Sequence, residues 1–153
     1  ITKDYKDNPP VIICMLKGAT YFFADLTRNI NLPITFDFAR LSSYRNGTVS
    51  GEMQVIADLT TDIKNKDVII VEDIIDSGNT LSYLKRLLEQ RNPTSVKICT
   101  LLDKPERRKV DLSADYVGFV IPDEFVVGYG LDYAEKYRCL PYVGVLKREV
   151  YET

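Results

Sequence analysis

Residues 68–80 combine an apolar run, two adjacent acids and a turn rich in small polar residues. The turn at 76–80 offers backbone N–H groups and hydroxyls that can converge on a phosphate where a helix begins. The acids, Glu72 and Asp73, repel a phosphate, but carboxylates suit ribose hydroxyls and divalent metal ions. An anion site beside a sugar or metal site is what a phosphorylated ribose requires.

The apolar run 68–71 predicts a strand buried on both faces of a parallel sheet, and residues 80–90 place leucines on one face of a following helix. Other strands are predicted at 11–16, 34–39, 52–57, 96–102, 116–121, 125–127 and 143–146, a helix at 19–29 and a helical turn at 134–138. Strands that alternate with helices indicate an α/β fold: one domain, 1–153, with a mostly parallel twisted sheet flanked by helices.

Polar residues 41–51 predict a mobile loop, with Asn46-Gly47 suited to the tip of a hairpin. In parallel sheets, ligands bind beyond the carboxyl ends of strands. Lys17-Gly18, residues 72–80 and Lys104 all follow predicted strands. We therefore expect them to share one crevice.

The composition excludes several classes of protein. The net charge of −2 gives no sign of a nucleic-acid or membrane-surface partner, and no apolar stretch approaches the roughly 18 residues that span a bilayer. The chain has no histidine, so acid–base chemistry must come from Asp, Glu, Lys or Tyr. Cys14, Cys99 and Cys139 lack metal or redox spacing, which favours a reducing, cytoplasmic setting.

Five motifs give the chain a family resemblance. They are residues 68–80, Leu16-Lys17-Gly18, Ser42-Ser43-Tyr44, Leu102-Asp103-Lys104 and residues 122–133. In this order they resemble the hypoxanthine(-guanine) phosphoribosyltransferases over nearly the whole chain. The resemblance implies the type I phosphoribosyltransferase fold, with a small hood of C-terminal and N-terminal segments over the purine site. Because this family usually has a helical segment ahead of the first strand, we expect that segment to be truncated here.

The resemblance also implies a reaction in purine salvage. Phosphoribosyl diphosphate and hypoxanthine or guanine would give IMP or GMP plus pyrophosphate, with Mg²⁺ as cofactor. A homodimer or homotetramer is implied as well.

Site residues follow from the resemblance, position by position. The 5′-phosphate is assigned to Asp76, Ser77, Gly78, Asn79 and Thr80. The ribose is assigned to Glu72 and Asp73, and the metal to Glu72, Asp73 and Asp132. Pyrophosphate is assigned to Lys17, Gly18 and Arg138, at a turn where related enzymes often carry a non-proline cis peptide. The purine is assigned to Ile74, Lys104, Phe125, Val126 and Asp132, and the start of a flexible loop that closes over the site to Ser43 and Tyr44.

Two of these residues have defined chemistry. Asp76 is the expected general base, which accepts the proton that the purine ring loses when its nitrogen attacks the anomeric carbon. Lys104 is expected to donate to the purine O6, and a cation there disfavours a 6-amino group and hence adenine.

Two other functions stay open. A regulator could use the same fold to sense phosphoribosyl diphosphate and bind nucleic acid, but it would be expected to show a basic stripe. A sister enzyme could act on xanthine or adenine. Lys104 argues against adenine, whereas the sequence does not separate xanthine from hypoxanthine and guanine.

Overall fold

The computed structural model describes residues 1–44 and 52–152. A six-stranded sheet has the order β3-β2-β1-β4-β5-β6, in which only β2 and β3 are antiparallel neighbours. Its strands are β1 (Val11–Met15), β2 (Thr35–Tyr44), β3 (Glu52–Ala57), β4 (Asp67–Ile75), β5 (Ser95–Asp103) and β6 (Tyr116–Val120). The helices are α1 (Thr20–Arg28), α2 (Asn79–Glu89) and the one-turn α3 (Arg148–Tyr151), with a 3₁₀ turn at Pro105–Arg107. The predicted α/β class with a mostly parallel sheet is confirmed.

The strand order reverses direction between β1 and β4. From β1 the chain crosses through α1 to β2 on one side, and from β4 it crosses through α2 to β5 on the other. The connections therefore diverge at the carboxyl ends of β1 and β4 and leave a crevice between them. Residues 16–18 and 72–78 lie at this edge.

The central strands are apolar because both of their faces are covered. Ile12, Ile13, Ile69 and Ile70 are completely buried, and burying each side chain contributes about 1.5–3 kcal/mol. Helix α2 turns the buried side chains of Leu81, Leu84 and Leu88 inward. This core fixes β1 and β4 beneath the crevice.

Two predicted boundaries were wrong. Strand β4 does not end at Val71 but continues to Ile75, because its ladder with β5 persists to the pair Ile75–Asp103. Glu72 and Asp73 thus lie within the strand, where β-geometry separates successive side chains to opposite faces. Residues 41–44, predicted as loop, extend β2 and pair with β3. The proposed tip at Asn46-Gly47 and the mobility of residues 45–51 lie outside the described residues.

The helical turn predicted at 134–138 was also wrong. Ala134 and Glu135 both have positive φ, at 50° and 67°, between residues Tyr133 and Lys136, which form an antiparallel bridge. Two consecutive left-handed residues are the geometry of a two-residue hairpin turn. The segment is too short for a helical pattern to compete with this turn.

A small second sheet lies beside the main one. Strands β7 (Val126–Val127) and β8 (Gly144–Val145) are antiparallel, and α3 follows them. The two strands were predicted, whereas α3 was not. None of the described helices has the length and hydropathy of a membrane span.

Candidate functional site

Two adjoining cavities open at the carboxyl ends of the strands. The first, of about 300 Å³, is lined from β1, β4 and the start of α2. The second, of about 570 Å³, extends toward β7 and α3. Both are lined by Asp73, Ile74, Asp76 and Asp132. A ligand with two parts could therefore occupy both cavities and join them at the end of β4.

The acid pair is held by the backbone that follows it. Glu72 Oε1 accepts the N–H of Asp73 at 3.0 Å, and Asp73 Oδ1 accepts the N–H of Ile74 at 2.8 Å. Burial raises the pKa of the Glu72 carboxyl well above its ordinary value, and the charge of Asp73 raises that pKa further. Hydroxyl donors or a cation bound here would relieve this unfavourable state.

Gly18 makes room for this acid pair. A Cβ on Gly18 would overlap the Asp73 carboxylate and lie 2.8 Å from its Cγ. The Leu16–Lys17 peptide bond, just before, is cis. The sequence places a glycine here because the carboxylate of β4 contacts the turn after β1 directly.

The turn after β4 has the form of an anion site. Gly78 is the N-cap of α2 with φ +83°, a conformation that glycine adopts without strain. Ser77, Gly78 and Thr80 line the first cavity at the positive end of the helix dipole. Asn79 is exposed and instead borders a separate cavity.

Two cations flank the first cavity. Arg138 lines it and donates through Nη1 to the Gly130 carbonyl at 2.7 Å. Within residues 1–44 and 52–152, the buried Arg138 Nε has no hydrogen-bond partner. Lys17 Nζ lies 3.1 Å from Glu135 and is not a lining residue of the cavity. Arg138 therefore brings a cationic side chain to the cavity wall, while its Nε is buried beneath that wall.

Glu135 is a site residue that sequence reasoning missed. Its carboxylate pairs with Lys17 and, at 3.2 Å, with Arg138. The hydrogen bond from Arg138 holds the pKa of the Glu135 carboxyl below its ordinary value, and the one from Lys17 adds to this effect. Its position three residues before Arg138, in the same predicted turn at 134–138, was the available signal.

The second cavity has a buried cation and an aromatic wall. The Lys104 side chain is only 8% exposed, and its Nζ lies 3.6 Å from Asp76 Oδ1. Ile74, Phe125 and Val126 also line this cavity. Lys104 is therefore a buried site residue and not a solvated loop lysine.

Helix α3 and the residue after it add further lining residues that sequence reasoning missed. Tyr151 stacks on Phe125 with ring centroids 4.9 Å apart, and Arg148 and Glu152 also line the second cavity. At its rim, Arg107 lies 3.6 Å from Asp123. A helix of one turn carries no periodic pattern, so the sequence had no signal for it.

Ser43 is not brought to either cavity. It is exposed in β2 and borders the same separate cavity as Asn79. The side chain of Tyr44 lies outside the described part of the structure. Closure of a loop at these two residues stays a prediction.

The acidic residues fit a metal shared with a substrate. The described residues contain no group of three or more ligand side chains that could hold an ion alone. Mg²⁺ commonly takes one or two carboxylates and completes its octahedron with water and substrate oxygens. Glu72 and Asp73 suit that role because a bound cation would offset the burial and the Asp73 charge that raise the pKa of Glu72. Asp132, 3.5 Å from Arg138 Nη2, could contribute from the opposite wall.

Comparisons with known proteins agree with this geometry. Residues 1–134 match the family model of the phosphoribosyl transferase domain. The chain is 56% identical to the hypoxanthine-guanine phosphoribosyltransferase of Bacillus subtilis, covering 100% of this chain and 86% of that protein. A crystal structure of a hypoxanthine phosphoribosyltransferase from Staphylococcus aureus superposes with a TM-score of 0.94 at 54% identity, covering 99% and 83% of the two chains.

Some relatives are much longer. The bifunctional protein TilS/HprT of Listeria monocytogenes serotype 4b is 55% identical over 99% of this chain, which spans 24% of that protein. The match of the family model and the identity over the full chain indicate the same family. The chain belongs to the phosphoribosyl transferase domain family and, within it, to the hypoxanthine(-guanine) phosphoribosyltransferases.

Proposed function

We propose that this chain transfers the 5-phosphoribosyl group of phosphoribosyl diphosphate to hypoxanthine or guanine, with Mg²⁺, giving IMP or GMP and pyrophosphate. The observation that carries the proposal is the pair of cavities that meet at the end of β4. One has an anion turn and an acid pair, and the other has a buried cation and an aromatic wall. The names of the relatives support the choice of purine.

The first cavity binds the sugar phosphate. Ser77, Gly78, Thr80 and the backbone of Asp76 and Asn79 receive the 5′-phosphate at the start of α2. Glu72 and Asp73 accept hydrogen bonds from the ribose hydroxyls.

The pyrophosphate lies at the rim of the first cavity. Gly18 offers backbone there, Arg138 offers the charge of its guanidinium, and Lys17 leaves Glu135 to pair with the ligand. Mg²⁺, held by Glu72, Asp73 and Asp132 together with the substrate, would neutralise the charge of the departing pyrophosphate.

The second cavity selects the base. Lys104 donates to the purine O6, Val126 bonds the edge of the ring through its main chain, and Phe125 and Ile74 cover its faces. Asp76 lies between the two cavities and takes the proton that the purine loses. Because Lys104 is 3.6 Å from Asp76, base recognition and proton removal occur side by side.

Departure of pyrophosphate builds positive charge on the ribose, and water would attack the charged ribose. The hairpin arms β2 and β3, with Ser43 and Tyr44 at the end of β2, are proposed to carry the segment that closes over the site and excludes water.

The proposal extends to assembly and compartment. Phe36 and Phe38 of β2 are 55% and 37% exposed, and such apolar surface favours association into a homodimer or homotetramer. The three cysteines are free, as in a reducing compartment such as the cytoplasm.

The test is nucleotide formation from phosphoribosyl diphosphate and each of hypoxanthine, guanine, xanthine and adenine, with and without Mg²⁺. We expect product with hypoxanthine and guanine only when Mg²⁺ is present. The variant Asp76→Asn should lower kcat by roughly 10²- to 10⁴-fold, because an amide cannot accept the proton. Turnover of adenine alone would contradict the proposed substrate, and full kcat in Asp76→Asn would contradict the proposed base.

A further inference from the structure

The turn after β4, here called the phosphate turn, is hydrogen-bonded to the segment that follows β5. Three successive turn carbonyls each accept a hydrogen bond from it. The Ile75 carbonyl accepts the N–H of Lys104 at 3.0 Å, and the Ser77 carbonyl accepts the N–H of Lys109 at 2.9 Å. Between them, the Asp76 carbonyl accepts Nε of Arg108 at 3.2 Å. The middle bond is the only one of the three that depends on a side chain.

Arg108 uses its whole guanidinium here. Besides Asp76, it donates through Nη1 to the Leu112 carbonyl at 2.5 Å and through Nη2 to the Asp103 carboxylate. The side chains of Arg108 and Asp103 are 16% and 15% exposed. A planar fork of five donors can satisfy three acceptors in fixed directions, which a lysine ammonium on a flexible stem cannot do.

The stem of Arg108 also packs under the turn. A Cβ on Gly78 would lie 3.1 Å from Arg108 Cδ and 3.0 Å from Val110 Cγ2. The absence of a Gly78 side chain therefore lets the Arg108 stem lie directly behind the phosphate turn.

The direction of these carbonyls decides the direction of the neighbouring amides. In a trans peptide unit, C=O and the following N–H point in opposite directions. Holding the carbonyls of residues 75–77 toward the segment after β5 therefore turns the N–H groups of residues 76–78 away from it. These amides belong to the proposed 5′-phosphate cradle.

We propose that Arg108 is a positioning residue that fixes the phosphate turn and Lys104 relative to each other. It fixes the turn through Asp76, and it fixes the end of β5 through Asp103, the residue before Lys104. Arg108 lines neither of the two cavities. The inference rests on the proposed function, since it explains how that site is kept in shape.

The test compares Arg108→Lys, which keeps the charge but loses the fork, with Arg91→Lys. Arg91 pairs with Asp58 at 2.8 Å on a partly exposed surface away from both cavities, so it controls for the loss of one arginine–carboxylate pair. A second variant, Asp103→Asn, weakens one arm of the fork and keeps the inference testable if Arg108→Lys does not fold.

The first measurement is amide hydrogen exchange of residues 76–80 in the ligand-free protein. We expect exchange about tenfold faster in Arg108→Lys, the effect of one lost hydrogen bond, and no change in Arg91→Lys. This readout does not depend on catalysis, so it separates failure of this inference from failure of the proposed function. Unchanged exchange in both Arg108→Lys and Asp103→Asn, or an equal rise in Arg91→Lys, would overturn the inference.

The second measurement is steady-state kinetics of the folded variants. Arg108→Lys should lower kcat/KM for phosphoribosyl diphosphate about tenfold, with a higher KM for both substrates, because both halves of the site lose their common support. Faster exchange with unchanged kcat/KM would show that the hydrogen bonds of Arg108 have only a structural role and would overturn the positioning role.

Discussion

At the residue scale, the site depends on an unusually close approach between Gly18 and Asp73. The turn after β1 and the end of β4 meet where a Cβ on Gly18 would lie 2.8 Å from Asp73 Cγ. Glycine is therefore needed for space, beyond any need for backbone freedom. The approach also places backbone proposed to contact pyrophosphate beside a carboxylate proposed to contact ribose.

We predict that Gly18→Ala displaces the Asp73 carboxylate and destabilises the protein by about 1–3 kcal/mol, the usual effect of overpacking. The kcat/KM for phosphoribosyl diphosphate should fall at least about tenfold, because the hydrogen bond proposed between Asp73 and a ribose hydroxyl is lost. Urea unfolding and initial rates measure the two effects. Gly144→Ala is the control, since its Cβ would make ordinary contact at 3.4 Å with a Tyr142 side chain.

A double variant tests whether the Asp73 carboxylate is the group that clashes with the methyl group of Gly18→Ala. If the Asp73 carboxylate is what the new methyl group meets, adding Asp73→Ala to Gly18→Ala should restore part of the lost stability while activity stays low. Strictly additive losses of stability would show that the alanine clashes with something else.

At the element scale, the secondary structure that positions the site was largely predictable where patterns are long. Residues 68–71 and the leucines of α2 carry unambiguous burial signals. Both elements were found, although β4 extends beyond the predicted strand to Ile75. Boundaries failed where tertiary pairing overrides composition. Polar residues 41–44 extend β2 because β3 supplies a partner, and Ala134-Glu135 turns back because Tyr133 and Lys136 pair.

The site residues divide in the same way, into those that the sequence predicts and those that only the folded chain reveals. Motif residues in or directly after strands, such as Glu72 and Lys104, were assigned from sequence, and the structure brings them to the shared edge. Arg108, Glu135 and Tyr151 act through partners 3 to 118 residues away in sequence, as in the bonds Arg138–Glu135, Arg108–Asp76 and Lys17–Glu135. No local pattern predicts the contacts of Arg108 and Tyr151, so the folded chain was needed to find them.

Helix α3 supports the aromatic wall of the second cavity. Tyr151 stacks on Phe125 at 4.9 Å with an angle of 26° between the rings, and Tyr133 meets Phe125 edge-on at 5.8 Å. Aromatic pairs of this kind contribute about 0.5–1.5 kcal/mol. The orientation of Phe125 therefore depends on an element that itself makes no recognisable motif.

We predict that Tyr151→Ala raises KM for hypoxanthine about two- to tenfold while KM for phosphoribosyl diphosphate stays unchanged, because only the wall of the base cavity is loosened. Tyr151→Phe, which keeps the ring, should behave as wild type. Tyr142→Ala removes an exposed ring from the same part of the chain and serves as control. Equal changes in both KM values would mean that Tyr151 acts on overall folding and not on base binding.

At the scale of the whole molecule, one buried carboxylate ties the antiparallel arm to the parallel sheet. Asp37 in β2 is 8% exposed, and it accepts the N–H groups of Phe38, Thr60 and Thr61 at 2.7–2.8 Å. These bonds fasten the connection from β3 to β4. They therefore hold the strand that carries the acid pair in place from a position outside the site.

The same carboxylate should make stability depend on pH. Burial alone would raise the pKa of Asp37, but the backbone hydrogen bonds from Phe38 and Thr61 outweigh it and lower that pKa below its ordinary value. A carboxyl with a lower pKa in the folded state stabilises the protein above its unfolded-state pKa of about 3.9, and this stabilisation is lost as pH falls through the folded-state value.

We therefore predict that Asp37→Asn lowers the free energy of unfolding by about 1–3 kcal/mol at pH 6, because an amide leaves some of these N–H groups poorly satisfied. The difference from wild type should shrink as pH falls below about 4, since protonated Asp37 is as poor an acceptor as asparagine. Urea titrations between pH 3 and pH 7 measure it, with Asp111→Asn, at an exposed position, as control. Wild-type and Asp37→Asn curves that stay parallel across this range would show that the charge of Asp37 does not hold the arm to the sheet.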